Sequence, residues 1–367
     1  MISYRPTVAR IDLDAIRHNV RALKPRDAEL MAVVKADAYG HGALDVARAA
    51  LEAGATWLGV ALVEEGIALR DAGIPAPILV LSEAPPGSEK DALGADLTPT
   101  VFTDRGLLGI AEAAEALGRT AGVHVKVDTG MHRVGLHPPE DAPAFLGRVV
   151  RAGCELEGLW THFARAEEDE ATTRRQLELF TSILDDARRH GVQPRIVHAA
   201  NSAASILYPE AHFDLVRIGI ALYGLDPGGG LGKQAGLRPA LSWRSEVAAV
   251  RSLPAGEPVS YGHRYGVAGG VVATVPVGYA DGFRRALSGR GEVLIRGRRR
   301  PVAGTVTMDQ ILVDCGEDVV DVGDEVVLIG RQGDEEITAD ELAAHCGTIN
   351  YEIACGIGPR VPREYER

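Results

Sequence analysis

Cysteine is scarce in this chain and never doubled: Cys154, Cys315, Cys346 and Cys355 stand far apart among 367 residues, with no CxxC pair. That spacing leaves no basis for a disulfide framework or a structural zinc site and points to free thiols. No stretch reaches the roughly 20 apolar residues that a membrane helix needs. The opening Met1-Ile2-Ser3-Tyr4-Arg5-Pro6 carries no apolar signal core, so a cytoplasmic location is expected. Basic residues are in deficit, 39 Lys and Arg against 51 Asp and Glu, for a formal charge of −12. Nucleic acid and anionic membrane are poor partners for such a surface. A small anionic ligand stays open, because a cleft sets its own local field. Solenoid repeats and low-complexity tails are missing too.

What is present is alternation. Short β-rich runs at Leu30–Val34, Trp57–Leu62, Ile78–Leu81, Thr98–Phe102, Val123–Val127, Leu156–Thr161, Ile196–Ala199 and Leu215–Ile218 are interleaved with alanine-rich helical segments. Helical segments over 43–53, 64–72, 105–117 and 171–190 end at Gly54, Gly73, Gly118 and Gly191, where a helix stop is expected. About eight such units over roughly 200 residues predict an α/β fold with a TIM (β/α)8 barrel. The weakest unit lies around Glu83–Gly94. Near Pro227-Gly228-Gly229-Gly230 the texture changes, and beyond it the chain is strand-rich, with runs at 245–252, 271–277, 293–296, 311–314 and 325–329. The expected division is therefore a barrel over 1–230 and a mainly β domain over 231–367, with the first residues free to pair with the latter.

Chemistry should collect at the C-terminal ends of barrel strands. Lys35 ends the first run, Leu30-Met31-Ala32-Val33-Val34, and enters the turn Ala36-Asp37-Ala38-Tyr39-Gly40-His41-Gly42. A lysine held against apolar walls loses hydration, and its neutral amine becomes a nucleophile or base. Taken singly, a lysine ending a strand is more often a solvated rim residue. In the fifth run, period-two alternation puts Lys126 and Asp128 on the barrel's inner face. Arg133 follows on the loop, where its fork suits a substrate carboxylate. The sixth run leads to His162, the seventh to Asn201-Ser202, and the eighth is Leu215-Val216-Arg217-Ile218-Gly219-Ile220. Loops after the last two strands of this fold commonly hold phosphate, and Ser202 with the amides of Gly219 and Ile220 could do so. Pyridoxal 5′-phosphate has the aldehyde and the phosphate to span Lys35 and that cradle, with Arg217 facing its pyridine nitrogen. In the β domain, three Tyr-containing motifs stand out in a chain with only 9 tyrosines: Ser260-Tyr261-Gly262, Gly278-Tyr279-Ala280-Asp281-Gly282 and Asn350-Tyr351-Glu352. Thr307-Met308-Asp309-Gln310 lies among them.

In this order, the motifs resemble the alanine racemase family, fold-type III pyridoxal-phosphate enzymes, nearly end to end. The run Ala32 to Gly42 is similar to the family's cofactor-lysine motif. The resemblance implies an isomerase that interconverts L- and D-alanine, supplies D-alanine for peptidoglycan, and works as a homodimer with shared active sites. Lys35 would hold the cofactor as an aldimine and serve as one base. Tyr261 of the other subunit would be the opposite base. Arg133, aided by Lys126 (carbamylated in many members), would order the site, and Met308 would contribute backbone contacts to substrate. Tyr39, Ser202, Gly219, Ile220 and Tyr351 would bind phosphate, and Arg217 the pyridine nitrogen. His162, Asn201, Tyr279 and Asp309 would support them, and no metal is implied. A tyrosine base with a reference pKa near ~10 needs cationic neighbours, for which Arg217 and His162 are the candidates.

Two departures concern substrate tuning. Gly304 is followed by Thr305 where the family more often has a basic residue, and His263-Arg264 is a more basic pair than many members carry. The competing readings are a serine or broad-specificity racemase, a decarboxylase of the same fold type, and a non-catalytic cofactor-binding barrel. An acidic residue in place of Arg217 would favour the decarboxylase, and the complete β domain with Tyr261 argues against the non-catalytic protein.

Overall fold

The computed structural model describes residues 4–366. Its first strand, β1 (Val8–Asp12), belongs with the C-terminal β unit; the next eight build the other unit. These are β2 (Glu29–Val33), β3 (Trp57–Val60), β4 (Ile78–Val80), β5 (Thr100–Val101), β6 (Gly122–Lys126), β7 (Glu155–Trp160), β8 (Ile196–His198) and β9 (Leu215–Ile218). All pair in parallel, in the orders β4-β3-β2-β9 and β5-β6-β7-β8. Backbone bonds close both seams: Thr98 N to Ile78 O (2.8 Å) at one, and Arg217 N to Ala200 O (3.0 Å) at the other. The result is a closed eight-stranded barrel, as the alternation predicts.

Toward the strands' N-terminal ends the interior is apolar, packed by Met31, Trp57, Leu79, Ile196 and Leu215. The outer helices form because their apolar residues recur every three or four positions. Glu170–Arg189 buries Thr173, Gln176, Phe180, Ile183, Leu184 and Ala187; Asp169 caps it by accepting from Thr172 N at 3.0 Å. The weak third unit does hold a helix, Glu89–Gly94.

The compact units change over at Pro239, and Tyr39–Gly42 and the described residues 4–14 group with the β unit. The sequence expectation places the junction at 230/231. Local bonding accounts for the difference. Asp226 accepts from Gly230 N and Gly232 N, which starts a short helix at Leu231–Gln234. Asn19, on the first helix of the barrel unit, then bonds both the amide and the carbonyl of Arg238.

The β unit has a seven-stranded sheet. Its members are β1, β10 (Leu241–Glu246), β15 (Glu292–Ile295), β16 (Arg298–Pro301), β18 (Glu325–Gln332), β19 (Glu335–Ile337) and β20 (Arg363–Glu366). A three-stranded sheet contains β11 (Ala249–Leu253), β14 (Gly270–Val275) and β17 (Ile311–Gly316). The hairpin β12 (Pro258–Val259)–β13 (Tyr265–Gly266) completes it. The expected single strand over 245–252 is in fact two, β10 and β11. Val247 N bonds Asp324 O and Ala248 N bonds Thr274 O, so the chain leaves one sheet for the other there.

Candidate active site

Lys35 stands two residues beyond the end of β2, at the start of a turn rather than on the strand itself. Ala36, Asp37, Ala38 and Tyr39 all have φ between 51° and 53°, a left-handed helical turn. Each non-glycine residue there costs about 1–2 kcal/mol, so the turn needs external support. Glu65 supplies it: Oε1 accepts from Ala36 N (2.7 Å), while Oε2 takes Ala61 N and Leu62 N. Gly40 follows at φ 81°, where a Cβ would sit 2.5 Å from Ala354 O.

Across the barrel mouth the inner face turns polar. Lys126 is buried, with Nζ 4.3 Å from the centroid of the Trp160 ring. The Arg217 guanidinium carbon lies 4.7 Å from the same ring, and His198 stacks on it with an interplanar angle of 9°. Burial, reinforced by Arg217 and Arg133, lowers the Lys126 amine to about 7. Asp128 does not form the ion pair with Lys126 that a structural reading of the strand suggests. Its Oδ1 accepts instead from the amides of Gly130, Met131 and His132.

Arg217 is the hub. Nη1 donates to His198 Nδ1 (3.1 Å); Nη2 donates to Thr161 O (2.8 Å), Ala199 O (2.9 Å) and His162 Nδ1 (3.2 Å). Nε has no partner among the described residues. Burial lowers this guanidinium to about 9, still cationic at neutral pH. His162 is different. Burial and then Arg217 push it well below its ordinary value, so it is neutral and cannot share the cationic role expected of it. Arg133 is exposed on the loop after β6, with no ion pair among the described residues.

After β8, Asn201 caps the helix Ser202–Leu207 through its side chain, which accepts from Ala204 N. Ser202 is buried, and its hydroxyl accepts from Gly219 N (2.9 Å) and weakly from Ala221 N (3.4 Å). The expected cradle of Ser202, Gly219 and Ile220 is thus drawn together at the ends of β8 and β9.

The β unit carries the remaining residues. Tyr39 and Tyr351 lie with ring centroids 6.1 Å apart, and burial followed by Tyr351 raises the Tyr39 phenol. Tyr351 rides on a helix, Asn350–Cys355, too short for its period to be read. Tyr261 is 73% exposed in a strained turn, with Ser260 at φ 61° and His263 at φ 47°. Its carbonyl accepts from Thr305 Oγ1 (3.0 Å). An open cavity of ≈ 340 Å³ beside it is lined by Ser260, Thr307, Gln310 and Leu312. Met308 and Tyr279 are also exposed, on loops joined by Tyr279 N to Thr307 O. Asp309 pairs with Arg360 at 2.8 Å. Asp281 is structural: buried, it takes both ends of Arg5.

Sequence reading overlooked Trp160, His198, His124 and Gln176. His198 Nε2 meets His124 Nδ1 at 2.8 Å, both fully buried. Gln176 accepts from Ala164 N and donates to Thr129 Oγ1 and His162 O. A histidine in the middle of one barrel strand and another at the end of a second were the available signal for the histidine pair.

The family model described as alanine racemase, N-terminal domain, matches residues 11–227, and that of its C-terminal domain matches 240–365. An alanine racemase from Symbiobacterium thermophilum is 54% identical, covering 98% of this chain and 97% of its own length. One from Frankia casuarinae is 48% identical, over 97% and 95%. Among solved structures, the alanine racemase of D-cycloserine-producing Streptomyces lavendulae superposes with a TM-score of 0.94 at 45% identity, covering 100% of this chain and 98% of that one. That of Bacillus anthracis, with bound L-Ala-P, gives 0.94 at 42%, covering 100% and 96%.

Proposed function

Because this chain belongs to the alanine racemase family, we propose that it interconverts L- and D-alanine with pyridoxal 5′-phosphate held on Lys35 and two bases on opposite faces of Cα. It is an isomerase by that membership. The bases are Lys35 and, from a second copy of the chain, Tyr261. The observation that carries the reading is the barrel mouth itself: a buried arginine whose Nε has no partner among the described residues, in the electrostatic neighbourhood of Lys126, Arg133 and Lys35.

These residues fit the cofactor. Ser202 with the amides of Gly219 and Ile220, joined by Tyr39 and Tyr351, would take the phosphate. Arg217 Nε would donate to the pyridine nitrogen. When bound, the cofactor is an electron sink that makes the Cα proton acidic. Arg217 keeps its own protons at neutral pH, so it would leave a ring nitrogen beside it unprotonated and the sink weak. With Arg217 in that place, prompt return of a proton to Cα would be favoured, which suits racemisation over transamination. Lys35 would exchange the proton on one face. Tyr261, exposed on a strained turn, would exchange it on the other. Arg133 would clamp the substrate carboxylate, and Met308 would line the substrate from the second copy. His162, Asn201, Tyr279 and Asp309 would hold these groups in place. Lys126, with its amine lowered to about 7, has enough neutral form to take up carbon dioxide as a carbamate, an anionic partner for Arg133. A carbamate carbon-13 resonance in protein equilibrated with labelled bicarbonate, lost in Lys126→Arg, is expected; its absence in the wild type overturns that point. The reading assigns a cytoplasmic homodimer supplying D-alanine for peptidoglycan.

The test follows Cα deuterium exchange and enantiomer composition from each alanine enantiomer. Lys35→Ala should lose the borohydride-reducible chromophore and the activity. Tyr261→Phe should slow racemisation from both enantiomers by at least about 10²-fold. Wild-type rates in Tyr261→Phe would overturn the two-base mechanism, and a strong preference for serine or lysine over alanine would overturn the substrate.

A further inference from the structure

The loop that follows β6 holds a second constellation, on residues to which the racemase reading gives no role. Asp128, His132 and His137 each offer one ligand atom, and these atoms lie within 4.8 Å of one another. We propose that the three form a binding site for a divalent transition-metal ion of the zinc class.

Asp128 is built as a ligand. Its carboxylate is buried, and three loop amides bond Oδ1 at 2.9–3.0 Å. Those bonds fix its orientation and keep it ionised. Oδ2 makes no hydrogen bond to them and stands 3.4 Å from His132 Nδ1. Two ligand atoms of a tetrahedral zinc, each about 2.0–2.1 Å from the metal, are about 3.3 Å apart. The Asp128–His132 pair already has that separation. His137 supplies the third group, its ring edge-on to that of His132 with centroids 5.7 Å apart. Both imidazoles are exposed, so closing the remaining distance takes side-chain rotation and no core movement.

The donor set selects the ion. Calcium and magnesium want oxygen ligands almost exclusively, whereas two imidazoles and one carboxylate suit zinc, cobalt or nickel. Three protein ligands leave at least one position for water, so the ion would be exchangeable rather than a folding nucleus. Both imidazoles come from the loop that carries Arg133. An ion there would staple that loop to the end of β6 and slow the opening of the amides held by Asp128. This inference does not depend on the catalytic reading, since its readouts are binding and loop protection.

The test uses the full-length holoprotein with exposed thiols blocked, titrated with Zn²⁺ and separately with Co²⁺. One ion per chain is expected, with visible d–d bands for cobalt and slowed hydrogen exchange at Gly130–His132. The double variant His132→Gln/His137→Gln should bind at least about tenfold more weakly and lose the bands. Asp128→Asn, which keeps an oxygen for the loop amides, should lose affinity while holding the loop. Equal affinity in wild type and double variant, or no cobalt bands in the wild type, would overturn the site.

Discussion

Nε2 of His198 and Nδ1 of His124 meet at 2.8 Å in the fully buried interior of the barrel, and Arg217 decides which of them carries the proton. Arginine has only donors, so His198 Nδ1 must accept from Nη1, and its proton sits on Nε2. His124 Nδ1 then accepts, placing its own proton on Nε2. That atom points toward Glu157 Oε2, 4.0 Å away, without a hydrogen bond among the described residues. His162 also accepts from Arg217 at Nδ1. Nitrogen-15 spectra of labelled histidine should therefore show all three rings as neutral Nε2–H tautomers, unchanged between pH 6 and 8. An Nδ1–H tautomer at His198 would contradict the arrangement.

The same rings make the barrel sensitive to acid. Burial lowers His124 to about 3, and His162 and His198 also fall well below their ordinary value. Their folded values lie below the unfolded one, so the unfolded chain binds more protons as pH drops beneath about 6.5. Above that pH the three contribute no pH dependence. Between 6.5 and their folded values each should remove about 1.4 kcal/mol of stability per pH unit. Urea unfolding of the apoprotein from pH 7.5 to 5 should show that loss. A midpoint that holds or rises would refute it.

Ala36 offers a test of the turn after Lys35. In a right-handed helix, alanine to glycine costs about 1 kcal/mol. At φ 52° on an exposed residue the sign should reverse, because glycine relieves the left-handed strain. Ala36→Gly should be neutral or stabilising by up to about 1 kcal/mol in thermal unfolding. A loss of that size would mean the turn is not left-handed in solution.

Much of this architecture was legible in the chain because its signals are local. Apolar runs of four to six residues gave eight barrel strands within a residue or two, and helix-ending glycines marked their partners. Leu215–Ile218 is placed without error. Lys35, Arg217 and Ser202 could be singled out because Lys35 closely follows a strand, Arg217 lies near the end of one and Ser202 opens a helix. What escaped was non-local. Nothing around Trp160 announces that its ring packs against two cations, since Lys126 and Arg217 come from other strands. The left-handed turn is hidden for a different reason: Ala-Asp-Ala-Tyr has ordinary right-handed propensity, and Glu65, 29 residues beyond Ala36, overrides it.

Trp160 also gives the barrel an optical probe of its own. Its indole is one of only three in the chain, it is buried, and it sits against the arginine assigned to the cofactor's ring nitrogen. A chromophore seated there would take up its excitation by resonance transfer. Loading of the site can then be followed as loss of ultraviolet-excited emission, with Trp57 and Trp243 as internal background and no label attached.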